Sequence, residues 1–145
     1  MQISDIQDDD VETVVALWER CGLTRPWNDP HADVALARGT PTSTILVGRI
    51  DGKIVASVMV GCDGHRGWVY YLSVEPGLQL AGQGRRMMDA AEAWVQALGA
   101  PKMNLMVRGD NAGAMGFYEA LGYAREDTVV WGRRFDGKAW KVAAP

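Results

Sequence analysis

The chain has 145 residues, 48% of them hydrophobic and 23% charged. This fits a single domain (residues 1–145) with one core, and it excludes a second folded domain and a disordered chain. The 15 basic and 18 acidic side chains give a net charge of -3, which leaves no excess positive charge to bind nucleic acid or anionic lipid non-specifically. The longest apolar runs, such as residues 53–62, are far shorter than the roughly 20 residues that span a bilayer, and residues 1–10 are acidic rather than signal-like. We therefore expect a cytoplasmic protein that binds neither nucleic acid nor membrane.

The two cysteines, Cys21 and Cys62, predict reduced core thiols, because a domain of this size needs no disulfide. Cys62, Asp63 and His65 could suggest a metal site, but Cys21 and His31 are not arranged to complete a tetrahedral ligand set. We expect no metal.

The amino-terminal half predicts two helices followed by three antiparallel strands. Apolar side chains recur at i, i+3, i+4 and i+7 from Val11 to Trp18, which is the spacing of one helix face. A glycine and two prolines then predict a loop before a second, shorter helix. Beyond it, β-branched runs flank an Asp-Gly pair, a strong hairpin signal. The predicted elements are helices at about 8–21 and 31–38 and strands at 44–50, 54–60 and 68–74.

The carboxy-terminal half predicts a long helix, a strand, a short helix and two further strands. One face of the long helix carries Met87, Ala91 and Val95, and the helix ends at Gly99. The predicted elements after it are a strand at 102–107, a helix from 111 to 122, and strands at about 123–126 and 128–135. Residues 136–145 are expected to be partly frayed. With a strand placed ahead of the first helix, the predicted order is β-α-α-β-β-β-α-β-α-β-β.

The turn before the long helix, residues 79–86, offers no Ser, Thr, Asp or Asn to cap the helix. The first amide groups of the helix therefore lack a partner, and together with the helix dipole they suit a bound phosphate. Gly82 and Gly84 allow close backbone approach, and Arg85 and Arg86 add charge. The alternative is a glycine-rich turn capped by water, and the spacing alone leaves the two interpretations equal.

Two motifs in this half resemble the signatures of the GNAT superfamily of acyl-CoA-dependent N-acetyltransferases. The family pattern Q/R-x-x-G-x-G/A before the central helix is matched by Gln79, Gly82 and Gly84. In the family the next helix opens with Asn and continues into F-Y-x-x-x-G-F/Y, a pattern that residues 111–123 match throughout. A helix and a strand separate the two motifs, as the family requires, so the resemblance covers nearly the whole chain.

A closer likeness lies in three segments that resemble the YpeA-like branch of bacterial GNAT proteins. They are Leu-Trp-Glu-Arg-Cys at 17–21, Arg-Pro-Trp-Asn-Asp-Pro at 25–30 and Asp-Gly-His-Arg-Gly at 63–67. The likeness narrows the relatives without naming a substrate.

The resemblance implies an α+β fold in α/β/α layers. Its mixed, mostly antiparallel sheet has six or seven strands and about four flanking helices, and it splays open between the fourth and fifth strands. Acetyl-CoA is implied to lie in that cleft, with its pyrophosphate on the amides of residues 80–85. Main-chain N–H groups near residues 72–74, where the family commonly has a bulge, could stabilise the oxyanion. The implied cofactor-binding residues are Leu72, Ser73, Val74, Gln79, Leu80, Ala81, Gly82, Gln83, Gly84, Arg85, Asn111, Gly113, Phe117 and Tyr118.

The resemblance also implies direct attack by an amine in a ternary complex. Consistent with this, the chain has no G-x-S-x-G motif. Tyr118 matches the family tyrosine that protonates the departing thiolate, and a phenol pKa of about 10 lies close enough to a thiol pKa of about 8.5 for that transfer. Without the complete motif, Tyr118 would be interpreted as a core tyrosine. Asn111 is an N-cap, a pantetheine contact or both, and Phe117 is interpreted as core beside the cofactor.

The sequence offers several candidates for the group that deprotonates the amine. Many protein N-terminal acetyltransferases of the superfamily have L-E-V-R where this chain has Met106 in place of Glu, which disfavours a protein N-terminus as acceptor. The remaining candidates are His65, Asp63, Glu75 and a water chain. His65 offers an imidazole, and the reference imidazole pKa of about 6.5 suits a general base, although a lone loop histidine is more often only solvated.

The loop at 25–30 falls where GNAT proteins build the acceptor side of the cleft. Trp27, Asn28 and Asp29 are therefore candidate substrate contacts, and their alternative role is loop architecture. We expect a small-molecule or peptide amine acceptor, and a homodimer is one option for the assembly. The alternative function is a non-catalytic acyl-CoA-binding module that senses or regulates.

Overall fold

The computed structural model describes residues 1–142. The strands are β1 (Gln2–Asp5), β2 (Ser43–Ile50), β3 (Lys53–Cys62), β4 (Gly67–Val74) and β5 (Met103–Leu105). The helices are α1 (Val11–Arg20), α2 (Pro30–Arg38), α3 (Gln83–Ala97) and α4 (Ala112–Ala120), with single 3-10 turns at Asp8–Asp10 and Pro76–Leu78.

The strands form one mixed sheet in the order β1-β2-β3-β4-β5, and β4 and β5 are the parallel pair. The predicted hairpin is confirmed between β2 and β3. Its two turn residues, Asp51 and Gly52, have φ of 48° and 77°, which is the left-handed geometry that an Asp-Gly hairpin turn requires.

Helices cover both faces of the sheet, which confirms the predicted layers. On one face the sheet packs under α3, whose Met87, Met88, Ala91 and Val95 are fully or almost fully buried. Side chains of α4 pack against the same cluster. On the other face α1 and α2 cover a second cluster around Trp18. The removal of these apolar side chains from water stabilises the packing of the helices on both faces of the sheet.

The two predicted strands at 123–126 and 128–135 are wrong. Neither segment has regular structure, and within residues 1–142 the sheet has five strands rather than six or seven. β-branched and aromatic residues favour a strand only where a neighbouring strand and a packed face are available. Here Val129, Trp131 and Phe135 are exposed, and side-chain bonds such as Lys102 with Glu126 hold the segment instead.

The predicted strand at 102–107 is reduced to the three residues of β5, because its pairing with β4 ends at Leu105. The tail expected to be frayed has no regular structure up to residue 142, and residues 143–145 lie outside the described residues. Among residues 1–142, no helix combines the length and the hydropathy that a bilayer-spanning segment needs.

Candidate active site

The sheet opens between β4 and β5, as predicted for the fourth and fifth strands. The two strands pair at three positions, from Gly67 with Met103 to Val69 with Leu105. Beyond Val69, β4 continues to Val74 without β5 beside it. The edge of β4 therefore borders a cleft over its last five residues.

A β-bulge distorts β4 where it borders this cleft. Ser57 of β3 pairs with Ser73 and Met59 pairs with Tyr70, so two residues of β4 lie opposite one residue of β3. The first of the two, Tyr71, has a φ of 53°. The bulge at 71–72 lies at the start of the segment where the resemblance implied one.

The amino terminus of α3 has no side-chain cap, as the sequence predicted. Its N-cap residue, Gly82, has a φ of 85°, and the first helical bond runs from the Arg86 amide to the Gly82 carbonyl at 3.1 Å. Among the described residues, the amides of residues 83–85 donate to no backbone acceptor. Unpaired donors at the positive end of a helix dipole fit a bound diphosphate.

The two GNAT-like motifs touch each other at the start of α3. A Cβ on Gly84 would lie 3.1 Å from Cζ of Phe117, so the ring requires the absence of a side chain there. Asn111 caps α4, because its Oδ1 accepts from the Ala114 amide at 3.1 Å. The N-cap role that the sequence offered for Asn111 is therefore present.

Tyr118 is half-buried and faces the cleft. Its ring makes edge-to-face contacts with the rings of Phe117 and Tyr123, at centroid distances of 5.0 and 5.9 Å. Burial raises the pKa of Tyr118 to about 12. The phenol therefore keeps its proton throughout the physiological pH range.

One continuous cleft of about 1430 Å³ joins the α3 turn to the region beneath α2. Ligand pockets usually measure about 300–1,000 Å³, so this cleft has room for two ligands side by side. The predicted cofactor residues that line it are Leu72, Val74, Gln79, Leu80, Gly82, Gly84, Arg85, Asn111, Gly113, Phe117 and Tyr118.

Three predicted cofactor residues do not line the cleft: Ala81, Gln83 and Ser73. Ser73 is buried on the opposite face of the sheet, where its Oγ lies 2.7 Å from Oγ of Ser57. The two arginines of the turn also have protein partners, since Arg85 donates to the Ala120 carbonyl and Arg86 to the Met1 carbonyl.

Of the three predicted substrate contacts in the acceptor loop, one lines the cleft. Asn28 lines it, and its Oδ1 accepts from Nη1 of Arg134 at 3.1 Å. Asp29 caps α2, accepting from the amides of residues 31 and 32. Trp27 has the Arg108 guanidinium 5.9 Å from its ring centroid and is not part of the lining.

The base candidates differ in position and charge. Asp63 lines the cleft, and hydrogen bonds from the amides of Arg66 and His65 hold the pKa of its carboxyl below the usual value. Glu75 is bound bidentately by Arg20, which lowers the pKa of that carboxyl too. His65 is exposed and outside the cleft lining.

Sequence reasoning missed several residues of the cleft. Asp33 and Tyr71, which are joined by a hydrogen bond of 2.6 Å, both line it. Tyr70, Trp68, Arg25 and Arg108 also line it. The available signal was the adjacent pair Tyr70-Tyr71, which interrupts the alternation of β4. Among residues 1–142, both thiols are free and no cluster of three metal-ligating side chains occurs.

Known proteins match both the chain and its fold. A model of the Acetyltransferase (GNAT) family matches residues 7–123. An acetyltransferase of Yersinia pestis (strain Pestoides F) is 44% identical over 134 residues, which cover 92% of this chain and 95% of that protein.

Two solved structures share the fold at low identity. Aminoglycoside N-acetyltransferase AAC(6')-Iy, in complex with the bisubstrate analogue CoA-S-monomethyl-acetylneamine, has a TM-score of 0.78 at 17% identity, over 92% of this chain and 97% of that chain. Glucosamine-6-phosphate N-acetyltransferase from Arabidopsis thaliana has a TM-score of 0.71 at 18% identity, over 93% and 98%.

The splayed sheet and the uncapped helix at its cleft fit the binding of an acyl-CoA. The chain belongs to the GNAT acetyltransferase family: it is an N-acetyltransferase with acetyl-CoA as its cosubstrate. A non-catalytic acyl-CoA-binding module is not favoured, because the relatives at 44% identity are named as acetyltransferases.

Proposed function

We propose that this chain acts as one domain and acetylates a primary amine of a small molecule or peptide by direct attack in a ternary complex. Acetyl-CoA supplies an activated acyl group on a thioester. The observation that carries the proposal is the continuous cleft, since it joins the uncapped α3 terminus to a second compartment beneath α2 with Tyr118 facing into it.

The α3 turn is the proposed diphosphate site. The backbone donors of residues 80–85 carry the binding. Arg85, which lines the cleft, keeps N–H donors for the diphosphate beyond the one that it gives to the Ala120 carbonyl. Gln79 fastens the turn to the end of β4, because its Nε2 donates to the Val74 carbonyl at 3.2 Å. Asn111, Gly113 and Phe117 are proposed to contact the pantetheine arm.

The bulge of β4 is the proposed oxyanion site. A bulge re-aims main-chain donors out of the regular ladder, and here it does so where β5 has already ended. Donors held rigidly by the fold stabilise developing negative charge without reorganising. We assign this role to the backbone of residues 72–74.

Tyr118 is the proposed general acid that returns a proton to the departing CoA sulfur. No side-chain nucleophile is assigned, because the amine itself forms the new bond. For the proton lost by the amine we propose a water chain or His65, since the lowered pKa values of Asp63 and Glu75 make both carboxylates weak bases.

The acceptor is proposed to bind beneath α2, against Asn28 and the loop at 25–30. Met106, directly after β5, stands where many protein N-terminal acetyltransferases have glutamate, and it supports an acceptor other than a protein N-terminus. The two structural neighbours named above act on amino sugars, which supports a small-molecule amine. We also place the chain in the YpeA-like branch, on the three segments that resemble it.

The role of Tyr118 is tested with Tyr118→Phe. We expect turnover to fall roughly 100-fold, as for the loss of a general acid, with CoA affinity retained because the ring stays in place. The assay measures thiol release from acetyl-CoA, using the best acceptor from an amine library. Because burial raises the pKa of Tyr118 to about 12, the wild-type rate should show no alkaline fall due to this phenol below about pH 10.

The matched control is Tyr123→Phe, which removes a phenol hydroxyl bonded to Glu92 at 2.6 Å and outside the main cleft. This control should keep wild-type turnover. Equal acetylation rates in the Tyr118 variant and wild type would remove the general-acid assignment.

A further inference from the structure

The bulge of β4 reverses which side chains face α3. Gly67 and Val69 lie on the α3 face, where a Cβ on Gly67 would be 2.8 Å from Val95 and where Val69 joins the α3 cluster. Strict alternation would continue on that face with residues 71 and 73. Instead Leu72 and Val74 pack there. The extra residue in the strand therefore directs Tyr71 to the α1 and α2 face.

Tyr71 is held in a backbone conformation that its side chain does not favour. Its φ of 53° lies in the left-handed region, which residues with a Cβ seldom adopt. Such strain persists only where surrounding contacts stabilise it. The ring and the hydroxyl of Tyr71 are held by contacts with α1 and α2.

The first contact is a stack on α1. The ring of Tyr71 lies parallel to that of Trp18, with centroids 3.9 Å apart and planes 7° apart. Trp18 is fully buried, and its Nε1 donates to Oγ of Ser57 at 2.9 Å. Ser57 in turn bonds to Ser73, two residues beyond Tyr71. A rigid indole therefore holds β4 within the bulge, at Tyr71, and through Ser57 just beyond it, at Ser73.

The second contact is a hydrogen bond to α2. The Tyr71 hydroxyl donates to Oδ2 of Asp33 at 2.6 Å, a short bond of the charge-assisted kind. Asp33 lies in the first turn of α2. The bond therefore connects β4 to α2, the helix that borders the acceptor side of the cleft.

We propose that Tyr71 is a positioning residue for acetyl transfer, which acts by clamping the bulge through Trp18 and Asp33 so that its main-chain donors stay aimed at the thioester carbonyl. This inference rests on the proposed function of the bulge as the oxyanion site. It assigns no chemical step to Tyr71 itself. The three residues are called the bulge clamp below.

The test separates the carbonyl contact from the rest of cofactor binding. Two ligands are titrated by calorimetry: acetyl-CoA, and S-ethyl-CoA, in which a methylene replaces the carbonyl. Wild type should bind acetyl-CoA more tightly than S-ethyl-CoA. Tyr71→Phe keeps the stack but loses the bond to Asp33, so we expect this preference to shrink several-fold while S-ethyl-CoA affinity stays within about twofold.

Tyr123→Phe is the matched control, because it also removes a phenol-to-carboxylate hydrogen bond of 2.6 Å and keeps the ring. It should retain the full preference for acetyl-CoA. In acetylation assays, Tyr71→Phe should raise KM for acetyl-CoA several-fold, in step with its weaker binding of that ligand, and should lower kcat roughly tenfold, a modest part of the roughly 100-fold that a misplacement of about 1 Å can cost.

Two further variants check the clamp from its other end. Asp33→Asn leaves an oxygen that can accept from Tyr71, so its ligand preference should lie between those of wild type and Asp33→Ala. If Tyr71→Phe matches Tyr123→Phe in both assays, the inference is wrong. Equal weakening for both ligands would mean a merely structural role and would also overturn it.

Failure of the proposed function gives a different result. In that case wild type itself would bind neither ligand, or would bind both equally, before any variant is made. The wild-type titration therefore tests whether the bulge contacts the thioester carbonyl, and the variants test whether the bulge clamp positions it.

Discussion

Gly82, the N-cap residue of α3, has no side chain that could cap the helix, so the first amides of α3 stay unpaired. At a φ of 85° this position favours glycine, yet a Cβ there would meet no atom within 4 Å. The cost of a side chain at residue 82 is therefore backbone strain rather than collision. Because Gly82 is the N-cap of α3, an acidic side chain there would also satisfy the amides that the proposed diphosphate needs.

Gly82→Asp should abolish measurable CoA binding. The introduced carboxylate would cap α3 from within the chain and repel the diphosphate. Gly82→Ala is the control for strain alone and should keep measurable, though weaker, binding. Calorimetry with CoA at low salt measures both variants. Wild-type affinity in Gly82→Asp would contradict the phosphate site.

At the scale of elements, the position of α3 on the sheet depends on a close approach to β4. Gly67 is buried beneath Val95, and a Cβ there would lie 2.8 Å from Cγ2 and 3.0 Å from Cβ of the valine. Both neighbours are rigid, since one belongs to a strand and the other is a β-branched residue in a helix. The close approach sets how near the last turn of α3 comes to the start of β4.

Gly67→Ala should lower the free energy of unfolding by about 1–3 kcal/mol, the usual cost of overpacking a filled core. Gly116→Ala is the opposite control: it lies within α4 with no atom within 4 Å of an added Cβ, so alanine should stabilise by up to about 1 kcal/mol through helix propensity. Urea unfolding measures both. A Gly67→Ala protein as stable as wild type would mean that α3 can shift at no cost.

For the whole molecule, the cleft makes cofactor binding and folding interdependent. Its lining comes from β4, α3 and α4 together with α2 and the loop before it, so the unfolded chain cannot reproduce it. A ligand that binds only the folded state stabilises it by mass action, by about 2.7 kcal/mol at 100 times its Kd.

Saturating CoA should therefore raise Tm by roughly 5 to 10 °C, given the sensitivity expected for a chain near 150 residues. Differential scanning fluorimetry measures the shift, and Gly82→Asp should show none at the same concentration. An unchanged wild-type Tm at concentrations that saturate the calorimetric signal would contradict this coupling.

Elements with strong local signals were predictable from the sequence. The Asp-Gly turn demanded left-handed backbone at two adjacent residues, and the hairpin followed. The spacing of Met87, Ala91 and Val95 identified the buried face of α3, and the lack of a capping side chain in residues 79–86 identified its open end. Each of these features depends on residues within a few positions of one another.

The carboxy-terminal strands and the bulge clamp were not predictable in this way. Residues 128–135 have a strand-like composition, but a strand exists only where a partner edge pairs with it. Tyr71 belongs to the α1 face only because the bulge changes the phase of β4. Trp18 and Asp33, which hold it there, lie 53 and 38 residues earlier in the sequence.

The sequence by itself determined the family, through its two GNAT-like motifs, and most of the elements, because helix periodicity, turn chemistry and capping act over short stretches of chain. Only the tertiary structure decided how wide the sheet is, where β4 leaves its regular ladder and which distant side chains hold it there. Those features depend on pairing and packing between elements far apart in the chain, and no local pattern specifies such contacts.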